Sequence, residues 1–284
     1  MKEQIERLMT CPEEVLDKME IIISDNCSTD DTQQIVQDAI DQGFNCRYIR
    51  NETNLGMDGN FVSCFRKAKG RYVWLLGDDD TIIIESLVKI ISLLDVQQEY
   101  GLLHIYQKND LPNNVLYIAD SNEMIKNIGF YITFISANIV NAKYVPYIDF
   151  EKFAGTFFSQ IPLYLTSLLT EKQNILYSTI TLECAKDFFN NGGYNYFKVF
   201  VHNYLTIIQE FITDTKLYKW LKKDIWPFVW QYTKQLLIHK EAGNFKVDNG
   251  WKILFKHYGT ECYFWWSMIK YPFEVIKRKI KKYI

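Results

Sequence analysis

Short apolar runs and polar, helix-spaced stretches take turns along the first hundred residues. Residues 1–17 carry Ile5, Leu8 and Met9 at helical spacing and predict a helix. Residues 19–24 (MEIIIS) are a short apolar run rich in β-branched side chains, the pattern of a buried parallel strand. DNCSTDDT follows. A polar helix is predicted over 32–42, with Ser28 and Asp30 placed to cap it and Gly43 to stop it. Residues 46–49 predict a second strand, NETNLGMDGN a loop, and 61–69 a helix closed by Gly70. Residues 72–76 predict a third strand, 84–95 a helix, and 101–106 a fourth strand. Alternating strands and helices predict an α/β domain with a mostly parallel sheet.

Beyond about residue 122 the pattern changes. Residues 131–140 (YITFISANIV) predict a strand, while 157–169 and most of the chain from 196 onward read as aromatic-rich helices. The expected organisation is a sheet domain at 1–190 and a helical region at 191–284.

Composition narrows the classes. The 284 residues suffice for one or two domains with a sizeable core. They include 19 Tyr, 19 Phe and 7 Trp, which is unusually aromatic, and the net charge of −2 gives no global pull towards nucleic acid. The six cysteines are scattered, with no C-x-x-C pair and no histidines clustered beside them, which argues against zinc. Scattered thiols predict a reducing, cytoplasmic setting, and no apolar run is long enough to span a bilayer.

The candidate chemistry lies at strand ends. The third strand runs into Gly77 and then Asp78, Asp79 and Asp80, and the first run ends at Asp25. An acidic turn after a strand needs no function, because Asp and Gly are turn formers. Three adjacent carboxylates also repel one another unless a cation lies among them, and a hard ion with oxygen ligands, Mg²⁺ or Mn²⁺, would suit. Ligands in α/β sheets bind at the carboxyl ends of strands, where both acidic stretches fall.

IIISDNCSTDDT resembles a strand-end motif of family 2 glycosyltransferases with the GT-A fold. NLGMDGNF, followed by AKGRYVWLLGDDD, resembles the stretch leading into their metal-binding D-x-D motif. The three blocks come in the family's order over about residues 1–150. FISANIV, GTFFSQIPLYL and GGYNYFKVF are similar to the branch containing abequosyltransferase-like enzymes. The resemblance implies a nucleotide-diphosphate-sugar donor, Mg²⁺ or Mn²⁺, and an inverting transfer to a hydroxyl of a bacterial surface glycan. It implies Asp78 and Asp80 as metal ligands with Asp79 between them. In a second register Gly77 takes the place of the first acid and Asp79 becomes the second. It implies Asp25 as the partner of a nucleobase N–H, favouring a pyrimidine, with Asn26 and Ser28 flanking. Asn54, Gly56, Asp58 and Asn60 would form a loop beside the nucleoside. As plain sequence, Asp25 is also a helix cap, and Asp58 and Asn60 are also turn and N-cap residues.

Two departures from the family pattern stand out. Met1 falls inside what would be the family's first helix. The expectation is therefore a natural start upstream with one more strand, or else a rearranged or inactive protein. The acid pair that supplies the family's base is matched by Ser159 and Gln160, which cannot accept the proton. Glu151 and Asp187 are the remaining base candidates, and each also reads as a solvated surface acid. Gly192–Asn195 (GGYN) reads as a turn that could close the acceptor or diphosphate side.

The chain ends WWSMIKYPFEVIKRKIKKYI, where aromatics interleave with lysines. Residues 265–284 predict either a peripheral contact with the inner face of an anionic membrane, near a lipid-linked glycan acceptor, or a packed helix with solvated lysines. The readings competing with a transferase are a nucleotidyltransferase and an inactive GT-A-like scaffold.

Overall fold

In the computed structural model, residues 1–106, 115–178, 181–183, 193–239 and 244–281 are described, without the side chains of 106, 115, 117, 238, 239 and 274–281. The chain divides into two units, Met1–Lys186 and Asp187–Ile284. The first runs α1 (Lys2–Met9), α2 (Glu13–Leu16), β1 (Ile22–Asp25), α3 (Thr32–Asp41), β2 (Arg47–Arg50), α4 (Gly56–Lys67), β3 (Tyr72–Trp74) and β4 (Thr81–Ile82). It continues with α5 (Ile84–Leu94), β5 (Leu102–Tyr106), β6 (Val115–Ala119), α6 (Ser121–Ile128), β7 (Asn138–Asn141), α7 (Ile161–Thr170), β8 (Asn174–Ser178) and β9 (Leu182–Glu183).

The expected alternation of strands and helices is present, but among the described residues the sheet is mixed rather than mostly parallel. Among the described residues the strands form three hydrogen-bonded pieces: β1–β2, a five-stranded sheet in the order β3-β7-β5-β8-β6, and β4–β9. Pairing is parallel at β1–β2 and β5–β8 and antiparallel elsewhere. Ile5, Leu8, Val36, Phe44, Ile82 and Leu87 fill a core around β1 and β2, with Ile23, Tyr48 and Trp74 packed against it. Leu103, Ile105, Ile139 and Ile175 fill the core of the larger sheet with Ile90 of α5.

Three elements of the fold differ from the sequence expectation for a local reason, besides the early start of α4 at Gly56. The single helix over 1–17 is two helices, broken at Thr10 and Pro12, because proline cannot continue a helix and tolerates only its start. The strand expected over 131–140 is reduced to Asn138–Asn141, and residues 129–137 form tight 3-10 turns. Asn138 holds those turns: its amide donates to the carbonyls of Ile132 (3.1 Å) and Phe134 (2.6 Å). The helix expected from 157 starts at Ile161, because Phe157 takes a left-handed φ of 65° that no helix accommodates.

The second unit is helical: a π-helical turn (Lys198–Asn203), then α8 (Tyr204–Phe211), α9 (Thr215–Asp224), α10 (Trp226–His239), α11 (Gly250–Tyr258) and α12 (Cys262–Lys281). Its core is aromatic. The Tyr196 ring lies 4.0 Å from that of Tyr232 and 5.0 Å from that of Phe200, and Tyr196 is fully buried. No helix among the described residues is long and apolar enough to cross a membrane.

Candidate active site

The first acidic strand end is closed by its own neighbours. Asp25, 2% exposed, ends β1 opposite Arg50 of β2. Its Oδ1 accepts from the Ser28 amide (2.7 Å), and its Oδ2 accepts from the Tyr48 hydroxyl (2.5 Å) and faces Arg50 Nε (3.2 Å). Burial alone would push the Asp25 carboxyl up. The hydrogen bonds from Tyr48 and Ser28 and the charge of Arg50 outweigh it, so the group lies below its ordinary value. Tyr48 is pushed up to about 12, by burial first and then by the carboxylate it donates to. The Asx-type turn on Asp25 carries Cys27 at a left-handed φ of 66°.

Asn26 ties the next loop to this strand end. Its Oδ1 accepts from Asn51 Nδ2 (3.1 Å) and the Leu55 amide (2.9 Å), and its Nδ2 donates to Asn54 Oδ1 (2.9 Å) and the Gly56 carbonyl (3.2 Å). Asn60 Oδ1 accepts from Ser24 Oγ (2.8 Å) and Asn51 Nδ2 (3.0 Å). Asn26, Asn54, Gly56 and Asn60, chosen from the sequence, are thus brought together with Asn51 in one polar network.

Gly56, Asp58 and Asn60 lie in the first turns of α4 rather than in a loop. Gly56 has a φ of 70°, and its amide donates to Asn54 Oδ1 at 2.8 Å, which starts the helix early. Asp58 faces away from the network. Its carboxylate accepts from the backbone amides of Phe157 (2.9 Å) and Ser159 (3.3 Å) and holds the turn that precedes α7.

The second acidic strand end hangs from Ser136, which is fully buried. Ser136 Oγ accepts from the Gly77 amide (2.9 Å), and its carbonyl accepts from Trp74 Nε1 (2.8 Å). A turn from Gly77 to Asp80 follows, with the Asp80 amide 3.3 Å from the Gly77 carbonyl. Asp78 and Asp79 are exposed, and Asp80 is 5% exposed. A Cβ built on Gly77 would stand 2.8 Å from Asp79 Oδ1 and 3.4 Å from Asp80 Oδ2. Two carboxylate oxygens from neighbouring residues therefore face one small space that only glycine leaves open. Such a donor set fits a hard cation that takes one or two protein carboxylates and completes its shell with phosphate and water. A self-sufficient group of three or more His, Cys, Asp or Glu ligands is absent among the described residues.

Glu151 borders a cavity of about 530 Å³ along α4, shared with Leu55, Asp58, Arg66, Lys67 and Ser159. It is exposed and lies 3.5 Å from Arg66. None of Asp25, Asn26 and Asp78–Asp80 lines that cavity. Asp187, and Gly192 of the GGYN turn, lie outside the described residues. Sequence reading missed Tyr48, Arg50, Asn51 and Ser136. Tyr48 and Arg50 stand two apart on a strand and so share a face, but nothing local says that this face meets Asp25.

Residues 3–137 match the family described as Glycosyl transferase family 2. They are a family 2 glycosyltransferase domain. The chain is 40% identical over 86 residues to the abequosyltransferase RfbV of Salmonella typhimurium, covering 30% of this chain and 26% of that one. It is 25% identical over 176 residues to an uncharacterized glycosyltransferase of Haemophilus influenzae, covering 60% and 68%. It is 26% identical over 199 residues to the GalNAc(5)-diNAcBac-PP-undecaprenol beta-1,3-glucosyltransferase of Campylobacter jejuni, covering 66% and 58%. The match thus spans about a quarter of the abequosyltransferase's length. Among solved structures, the S. aureus TarS 1–349 complex with UDP-GlcNAc superposes with a TM-score of 0.60 at 16% identity, over 90% of this chain and 78% of that one. The UDP complex of the same protein gives 0.56 at 17% identity, over 87% and 74%. The chain shares their GT-A fold.

Proposed function

We propose that the protein moves a sugar from a nucleotide-diphosphate donor to a hydroxyl of a bacterial surface-polysaccharide acceptor, with a divalent metal and with inversion at the anomeric carbon. The observation that carries this reading is the pair of carboxylate oxygens, from Asp79 and Asp80, that face one space over Gly77 in a family 2 domain. Mg²⁺ or Mn²⁺ held there would neutralise the diphosphate as it leaves. Asp79 and Asp80 take the ligand roles in this reading, and Asp78 stays at the solvent edge of the turn.

Asp25 serves the donor at the nucleobase. A carboxylate offers about four lone-pair sites. The Ser28 side chain and amide, Tyr48 and Arg50 already hold that of Asp25, so a base N–H would take the place of one of these contacts. The three internal partners fix the acceptor before the nucleotide arrives, which lowers the ordering cost of binding. A uracil or cytosine base suits a single acceptor of this kind. One relative is named for a lipid-linked glycan acceptor and a structural neighbour is in complex with UDP-GlcNAc, which favours a pyrimidine nucleotide and a glycan or lipid-linked glycan acceptor. Such an acceptor would be met at the inner face of the cell membrane.

A thermal shift with Mn²⁺ plus UDP, CDP or GDP tests the reading, because ligand binding to the folded chain raises its melting temperature. The expected result is a shift with metal plus a pyrimidine diphosphate, lost with a chelator and lost in Asp80→Ala. A cooperative melt that no nucleotide shifts would replace the transferase by an inactive scaffold. Release of pyrophosphate from a nucleoside triphosphate would replace it by a nucleotidyltransferase. Glu151→Gln separates the base assignment from donor binding: if Glu151 is the base, transfer is lost while the nucleotide shift remains.

A further inference from the structure

The helical second unit has an apolar face that its own core does not use. On α12, Trp265 is 46% exposed, Trp266 67%, Ile269 59% and Phe273 68%. Positions 265, 269 and 273 follow one another at four-residue spacing, and 266 lies beside them, so the four share one side of the helix. The opposite side of α12 is packed. Phe264 is fully buried, with its ring 5.6 Å from that of Trp226, and Ser267 Oγ accepts from Trp226 Nε1 at 3.1 Å.

α11 extends the exposed face. Phe255 is 48% exposed, and its ring lies 5.9 Å from that of Trp265. Trp265 is held in place by its indole N–H, which donates to the Gly259 carbonyl at 2.8 Å. Two helices thus present one aromatic patch of fixed shape. A large contiguous apolar patch on a folded chain marks an interaction surface.

Charge identifies the partner. Lys252 and Lys256, both exposed, follow one another at four-residue spacing on α11, beside Phe255. Directly after Phe273 the chain reads EVIKRKIKKYI, with Lys277, Arg278, Lys279, Lys281 and Lys282 against the single acid Glu274. In that sequence Ile276 and Ile280 continue the spacing of the apolar row from Phe273. The whole chain carries a net charge of −2, so a run with five cations and one acid over residues 274–284 stands out against the rest. An apolar row rich in Trp and Phe, edged by lysines, on a helix too polar to cross a bilayer, matches the requirements of the interface plane of an anionic membrane.

We propose that the α11–α12 face docks on an anionic lipid surface. The α12 axis lies parallel to that surface. The rings of Phe255, Trp265, Trp266 and Phe273 enter the boundary between headgroups and acyl chains, and the lysines lie at the phosphates. Docking goes beyond the transferase reading and does not depend on it, because lipid binding involves neither donor nor metal.

The test is co-sedimentation of the full chain, without nucleotide, with vesicles of phosphatidylcholine alone and of phosphatidylcholine mixed with phosphatidylglycerol. The comparison is the double variant Trp266→Glu/Phe273→Glu. Both positions are well exposed, so the variant is expected to keep the wild-type melting temperature. Lys277→Glu/Lys281→Glu provides a second variant that leaves every aromatic in place. The expected result is binding to the anionic vesicles, weakened at least about tenfold by either pair of substitutions and by raising the salt from about 0.1 M to about 0.5 M. Absence of binding to anionic vesicles, equal binding to neutral ones, or unchanged binding in the variants would overturn the proposal. A wild-type oligomer that the Trp266→Glu/Phe273→Glu variant turns into a monomer, without any lipid binding, would assign the face to self-association instead.

Discussion

The hydroxyl of Tyr48 donates to Asp25 Oδ2 at 2.5 Å, from the second strand to the end of the first. Asp25 is buried, and Tyr48 is one of three residues, with Ser28 and Arg50, that keep it charged. The contact makes the end of β1 a preformed acceptor, and it couples that acceptor to the stability of the fold.

Tyr48→Phe keeps the ring and removes only that donor. A hydrogen bond to a charged group contributes about 1.5–3 kcal/mol. The folded-state value of Asp25 lies below the ordinary 3.8, so its contribution is complete above that value and is lost as pH falls through the folded value. In Tyr48→Phe the folded value rises towards 3.8, and the contribution shrinks. Urea melts should show a loss of about 2 kcal/mol at neutral pH that vanishes in strong acid. A loss of equal size at both ends of the pH range would assign the effect to ring packing.

Gly77→Ala addresses the acidic turn. The added Cβ would lie 2.8 Å from Asp79 Oδ1, closer than real Cβ contacts come, so that carboxylate must move. Asp79 is exposed and can yield, so the melting temperature should change little. The Mn²⁺-dependent nucleotide shift should fall sharply. A full shift in Gly77→Ala would show that the convergence of Asp79 and Asp80 plays no part in binding.

Asp58→Ala leaves the amides of Phe157 and Ser159 without their acceptor. The expected cost is about 2–3 kcal/mol in urea denaturation, and Asp58→Asn, which keeps one acceptor oxygen, should cost about half of that. Equal losses in the two variants would point to the charge rather than to the two amides.

His104 is 1% exposed, and its Nδ1 lies 2.8 Å from Asn138 Oδ1. Burial lowers its imidazole from the ordinary 6.5 to about 4, partly offset by the Asn138 contact. The neutral ring is the stable form. Its contribution is complete above 6.5 and is lost as pH falls through about 4. The His104 ring signals in NMR should therefore show no titration near pH 6.5, and His104→Gln should flatten the decline in stability between those two values. A His104 titration near 6.5 would contradict the buried, neutral assignment.

The sequence alone determined the α/β alternation and the positions of the two acidic strand ends. These are local properties: a short apolar run rich in β-branched residues favours a strand even where, as in β1, it is only half-buried, and residues such as Asp and Gly favour a turn after it. The asparagine loop was legible too, because turn formers clustered in NETNLGMDGN mark irregular backbone wherever it lies. Boundaries failed where a side-chain hydrogen bond or a left-handed residue, which the apolar pattern does not encode, decided them. Asn138 replaced an expected strand with tight turns by satisfying two carbonyls, and the left-handed Phe157 delayed α7. Only the tertiary structure gave the partners. The β1–β2 register brought Tyr48 and Arg50 to Asp25. The approach of the turn at 157–159 to α4 made Asp58 an anchor for backbone amides. Packing of one side of α12 against Trp226 left Trp266, Ile269 and Phe273 on the other. Hydrophobic periodicity specifies which face of an element is buried, whereas the polar contact a carboxylate makes depends on which other element that burial brings within about 3 Å.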